Sequence, residues 1–225
     1  MYRRQTLCLQ VVAMSLLWSA TPCVTSARVA GRRPFTGSQE ITVYDGVGPG
    51  ATTDLTAFFV QADVAFVGTF DHATVEFVDA ASTQLATRMF FKPTTVIKGT
   101  ISTTSSGTFA VAAAGGSYVK TAAGPRPFRP IVEAERLSFG AAYFVAADQL
   151  HVPGSPVDGQ YRLMGPETLV RINGAQVSPV SVHSAWFDAV MTQGRAMAVP
   201  ATAGATVDDA TAFLAAMRHG AGQPR

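Results

Sequence analysis

From Glu40 to Ile172 the chain is a succession of short segments rich in valine, phenylalanine and threonine, and glycines, prolines and Asp-Gly or Asn-Gly pairs punctuate it. A chain built this way forms strands and tight turns, because β-branched and aromatic side chains fit a pleated surface and the breakers stop helices from propagating. Glu40 to Tyr44 alternates and stops at Asp45-Gly46. Ala62 to Phe70 is apolar almost throughout and predicts a largely buried strand. Thr74 to Val78 either continues it or pairs with it after a turn at Asp71-His72. Thr87 to Lys98 is the longest strand candidate, and Pro93 inside it predicts an edge or a bulge, since proline donates no ladder hydrogen bond. Thr108 to Ala112 is a further strand ending at Gly115-Gly116. Ala141 to Ala146, Gln160 to Met164 and Leu169 to Ile172 complete the set, with Asn173-Gly174 as a hairpin signal.

Helical spacing appears only at the two flanks. Leu55, Phe58 and Phe59 fall at i, i+3 and i+4 behind Thr53 as the expected cap. Val207, Ala210, Phe213, Leu214 and Met217 mark the best helix of the chain, with Thr206 and Asp209 as a capping pair and Gly220 as its C-terminal glycine. Ser184 to Thr192 supplies another turn or two. Strands first and helix last predict a mainly β, α+β fold.

The N-terminus reads as an address. Tyr2-Arg3-Arg4 is basic, Thr6 to Ala20 is mostly apolar, Pro22 breaks any helix and Thr25-Ser26-Ala27 offers small residues for cleavage after Ala27. The apolar run is too short for a membrane anchor, which needs about 20 residues. Arg3-Arg4-Gln5-Thr6-Leu7 also resembles a twin-arginine signal. Lipidation at Cys23 is disfavoured by Pro22 before it. Cys8 and Cys23 are the only cysteines, so a product starting at Arg28 has no disulfide, thiolate nucleophile or cysteine metal ligand. Losing Arg3 and Arg4 leaves 15 basic against 15 acidic residues, which disfavours nucleic acid as a partner. The expected location is the periplasm or the extracellular space.

Ala62-Asp63-Val64-Ala65-Phe66-Val67-Gly68-Thr69 looks like the A-D-x-x-x-x-G-x opening strand of the tissue-inhibitor-of-metalloprotease and netrin-module families. Val96-Ile97-Lys98-Gly99 resembles the V-x-K-G that ends their second strand, and Phe139-Gly140-Ala141-Ala142-Tyr143-Phe144-Val145 is similar to their later G-x-x-Y strand. A set of secreted bacterial proteins without assigned activity resembles this chain in the same order and also ends in a helix. The resemblance covers about residues 55 to 172 and implies a five-stranded OB-like Greek-key barrel with a short N-terminal and a C-terminal helix. The expected organisation is signal peptide 1–27, mobile arm 28–38, barrel domain 39–183, helical segment 184–220 and tail 221–225. The animal inhibitors chelate the protease zinc with an N-terminal cysteine that is missing here, so the resemblance lends a fold and not that function.

No catalytic motif of high specificity is present. His72, His151, His183 and His219 are scattered, and Asp148, His151 and Asp158 would converge only if their loop folded back. Ser117-Tyr118-Val119-Lys120 matches S-x-x-K but lacks a helical context, and no G-x-S-x-G occurs. Glu133 and Glu135 lie two apart on an extended segment. Gly46 to Gly50 lacks the Lys-Ser/Thr of a phosphate-binding loop, so no cofactor or metal is expected. Ser117 to Phe139 instead predicts a long connection mixing aromatics with cations at Tyr118, Lys120, Arg126, Phe128, Arg129 and Arg136. The function expected is a non-enzymatic exported binding module that recognises a protein or envelope component. The alternative is a hydrolase whose histidines and carboxylates meet only in three dimensions.

Overall fold

The fold is that of a computed structural model, and the description covers residues 39–43, 52–78, 84–181, 185–198 and 206–222. The signal peptide, its cleavage at Ala27, the arm over 28–38, His183 and residues 223–225 lie outside them. Strands β2 (Val64–Phe77) and β3 (Leu85–Lys98) form the spine, an antiparallel pair of 14-residue strands. No turn occurs at Asp71-His72. The strand runs through, and a register shift between Phe70 and His72 leaves Asp71 as an extra residue in a bulge, which absorbs the break in alternation without ending the ladder. Pro93 faces Gly68 beside a second register shift, so the proline sits where the ladder is already irregular.

Strand β4 (Phe109–Ala114) pairs with β3, and β7 (Ala142–Gln149) pairs with β2, both antiparallel. The short β8 (Tyr161–Leu163) is antiparallel to β7 and parallel to β4, where Ala112 faces Arg162. Pairings therefore run β2, β3, β4, β8, β7 and return to β2. Strands β9 (Val170–Asn173) and β10 (Gln176–Pro179) extend the sheet beyond β7 to seven strands, joined at the expected Asn173-Gly174 turn, where Gly174 has φ 59°.

Two apolar layers sandwich β2 and β7. Val64, Phe66, Met89, Phe91, Tyr143 and Val145 point into one. Ala65, Phe144 and Ala146 point into the other, beneath helices α1 (Leu55–Gln61), α3 (Ala185–Met197) and α4 (Asp209–Gly220). Phe213 is fully buried there against Phe144, Trp186 and Phe187. Three details differ from the sequence expectation. Asp54 rather than Thr53 caps α1, accepting from the Thr56 and Ala57 amides, because its carboxylate stands one residue closer to the first turn. Asp208 rather than Thr206 caps α4, accepting from the Thr211 amide. Gly220 is still helical, and Gly222 at φ 71° makes the left-handed exit.

The long connection is the main correction. Residues 117–139 are mostly ordered elements: β5 (Gly116–Thr121) and β6 (Gly124–Arg129) form a hairpin, and α2 (Val132–Glu135) follows. With β1 (Gln39–Val43) the hairpin makes a separate three-stranded antiparallel sheet in the order β1-β5-β6. Pro125 and Pro127 disguise a strand in the sequence, yet both are tolerated because β6 is an edge. The molecule is mainly β, with two sheets and four α-helices among the described residues.

Candidate functional site

The hairpin leaves the seven-stranded sheet after β4 and the chain returns to it at β7, so it interrupts two strands that belong to the other sheet. Thr87 of β3 holds both of its feet. Its buried hydroxyl donates to the Gly115 carbonyl at 2.9 Å, just before β5, and accepts from the Ile131 amide at 3.0 Å, just after β6. Gly116 reinforces the junction: its φ is +147°, and a Cβ there would stand 2.7 Å from a Val75 methyl.

Five of the six residues expected to bind a partner lie on this hairpin, and the sheet distributes them over both faces. Residues directly opposed in an antiparallel pair share a face. Tyr118 and Lys120, opposite Pro127 and Pro125, take one face. Arg126 opposite Val119 and Arg129 opposite Ser117 take the other, and the register shift leaves Phe128 as the extra residue between them. Tyr118 is half-buried edge-on against Phe77 and is part of the packing. Lys120, Arg126, Phe128 and Arg129 are exposed, Phe128 by 50%, and the Arg129 guanidinium lies 5.1 Å from the centre of the Phe128 ring. Arg136 separates from the group. It follows α2, and its guanidinium donates to the Val180 carbonyl at 3.4 Å.

On the Arg126 and Arg129 face a cleft of about 300 Å³ opens between the small sheet and α2. Glu40, Ser117, Arg129, Ile131, Val132 and Glu135 line it. Ser117 donates to Glu40 Oε1 at 3.0 Å, and Arg129 approaches the same carboxylate oxygen at 4.0 Å. The sequence gives no sign that Glu40 belongs here, because β1 joins the hairpin from far along the chain, and Glu135 reaches the cleft on α2, which the sequence reads as extended. Ser117 and Lys120 lie on opposite faces of β5, so the S-x-x-K match has no geometry for proton transfer. Glu133 and Glu135 stand on helix α2 rather than on an extended segment, so they do not share a side.

Several other acids and histidines have local partners. Asp148 grips Arg162 across the β7–β8 pair through two oxygens, at 3.3 and 2.7 Å. Asp158 accepts from the Val152 amide at 2.9 Å, and His151 is exposed. His72 stacks on Phe90 and its Nδ1 lies 2.8 Å from Asp71, which also holds Lys92 at 2.8 Å. The Lys92 ammonium first, and then His72, hold the Asp71 carboxyl below its ordinary value. Among the described residues no three His, Cys, Asp or Glu side chains converge as a metal site would require. No helix among them is long and apolar enough to cross a membrane.

The residues that carry the family resemblance turn out to have architectural work. Lys98 donates to the carbonyls of Phe59 and Ala62, closing the C-terminal end of α1. Gly99 has φ +76°, and a Cβ there would stand 2.2 Å from the Asp63 carbonyl oxygen. Asp63 accepts from the Gln149 amide at 2.6 Å, and the fully buried Tyr143 hydroxyl accepts from the Ser138 amide at 2.9 Å. Comparison with protein-family models and with curated proteins found no match for the chain.

Proposed function

We propose that the chain is an exported, non-enzymatic binding module that recognises a protein or an envelope component through the β5–β6 hairpin. One observation carries this reading: Arg126, Phe128 and Arg129 stand exposed together on a hairpin set between strands of another sheet. Aromatic and arginine side chains dominate the energetics of protein recognition, and prolines 125 and 127 stiffen the strand that presents them. The main sheet serves as the frame, and we read it as the OB-like Greek-key barrel that the resemblance to tissue inhibitors of metalloproteases and netrin modules implies. Support comes from the return of the pairings to β2 and from the parallel contact of β4 with β8. Export rests on Thr25-Ser26-Ala27, and the mass of the secreted or periplasmic form should match a chain starting at or within a few residues of Arg28.

The module is tested by recovering partners from an envelope extract. The wild type should retain a partner that the R126A/F128A/R129A variant loses while its far-ultraviolet circular dichroism is unchanged. Equal recovery by both proteins rejects the hairpin as the site.

A further inference from the structure

We infer that Asn173 is a site of spontaneous covalent modification, at which the Gly174 backbone nitrogen attacks the Asn173 carboxamide and converts the residue to aspartate and isoaspartate. Asn173 is the only asparagine of the chain, and a glycine follows it. Asn173 pairs with Gln176 across the β9–β10 hairpin, so Gly174 and Ala175 make a two-residue turn. Asn173 and Gly174 are both exposed. Gly174 has φ 59°, and a Cβ built on it would meet nothing within 4 Å. Among the described residues neither the Asn173 carboxamide nor the Gly174 N–H has a hydrogen-bond partner. The two reacting groups are therefore adjacent, in solvent and uncommitted, and no side chain shields the attacking nitrogen.

In the first step the Gly174 nitrogen bonds to Asn173 Cγ, the Cγ–NH2 bond breaks, and ammonia leaves with the proton lost from that nitrogen. Water then opens the cyclic imide at either carbonyl, leaving aspartate or, with the main chain rerouted through Cγ, isoaspartate. Asp158-Gly159 can form the same imide by losing water, and it shows what holds the reaction back. Both of its residues are exposed, yet the Asp158 carboxylate accepts from the Val152 amide at 2.9 Å and the Gly159 N–H donates to the Leu150 carbonyl at 2.8 Å. Each group has a hydrogen bond to break before the two can meet. Conversion at Asn173 also reaches the helical layer. The Ala175 carbonyl accepts from the Ala210 amide at 3.1 Å, in the first turn of α4. An isoaspartyl residue adds a methylene to the main chain just before this turn and so draws that carbonyl away from α4.

The test incubates the purified, folded protein in mildly alkaline buffer over days and follows its peptide masses, with isoaspartate counted by enzymatic methyl transfer. The peptide holding Asn173 should pass through the lighter imide, gain the mass difference between amide and acid, and end with more isoaspartate than aspartate. Isoaspartate at Asp158 should form at least severalfold more slowly. Asn173→Gln keeps an amide but requires a larger ring to close, and it should abolish the change at this position. The converted protein, separated by ion exchange, should show severalfold faster hydrogen exchange at Ala210 than the fresh protein. An Asn173 that stays intact in the folded protein while the urea-unfolded chain converts would overturn the assignment, because the turn would then hold the two groups apart. Isoaspartate forming at Asp158 as fast as at Asn173 would overturn the selection by hydrogen bonding, and unaltered exchange at Ala210 would overturn the consequence for α4.

Discussion

Strands β7 and β6 are of similar length and lie in opposite surroundings. In β7, five consecutive residues from Tyr143 to Ala147 are buried, because Tyr143, Val145 and Ala147 face one apolar layer while Phe144 and Ala146 face the other. In β6, every residue from Pro125 to Arg129 is exposed. The first strand is held by burial on both faces, at about 1.5–3 kcal/mol for each large apolar side chain. The second has no such term and persists through its ladder to β5, its two prolines and the anchorage of its feet on Thr87. The molecule therefore divides into a frame whose strands are held by apolar burial and a hairpin whose outer strand, β6, keeps its side chains in solvent.

The contrast breaks most visibly in the helical layer. Phe213 is fully buried against Phe144, Trp186 and Phe187, so Phe213→Ala should cost about 3 kcal/mol or more and lower the Tm accordingly in calorimetry. An unmoved Tm would mean that α4 contributes nothing to the frame. Thr87→Val tests the junction. It keeps the shape of the side chain but strips the Gly115 carbonyl and the Ile131 amide of their shared partner, a loss of about 1–3 kcal/mol. Hydrogen exchange should then accelerate at Ile131 more than in β7. Uniform acceleration would show that the hairpin does not open separately from the frame.

The same division governs what the sequence reveals. The strands of the frame were legible because burial imposes a pattern: Ala62 to Phe70 and Ala141 to Ala146 read as strands, and Pro93 announced its own irregularity. Phe213 and Met217 announced α4 by their spacing. The hairpin was hidden because an exposed edge strand needs no alternation, and its prolines resemble those of a loop. Its candidate residues were readable by type, but their partition over two faces was not, since it depends on a bulge at Phe128. The Asp71 bulge left the reading open between a continuous strand and a turn for a related reason: one extra residue breaks alternation as a turn does, and only the pairing of Phe70 with Phe91 and of His72 with Phe90 distinguishes the two.

That bulge gives a smaller, pH-dependent effect within the frame. Asp71 has a folded pKa lowered from 3.8, with the Lys92 hydrogen bond as the leading cause. A carboxyl depressed on folding contributes stability above its unfolded pKa, and the contribution is lost as pH falls through the folded one. Asp71→Asn should therefore flatten the loss of stability on acidification below about pH 4, followed as urea midpoints against pH. If wild type and variant lose stability in parallel across that range, the carboxylate does not support the bulge.

The smallest effect on stability belongs to the hairpin and is the sharpest test of the division. Phe128 is half exposed, occupies a bulge and touches Arg129 through its ring, whereas Phe213 is sealed under three aromatic neighbours. Truncating Phe128 to alanine removes only about half of the burial that a sealed ring contributes and leaves no cavity, so Phe128→Ala should cost about 1 kcal/mol, well below Phe213→Ala. The same truncation removes the only large apolar side chain on the exposed strand, and recovery of the envelope partner should fall severalfold. Stability and recognition would then separate at one residue. A Tm loss approaching that of Phe213→Ala would instead show that Phe128 packs as core, and the hairpin would have to be counted as part of the frame.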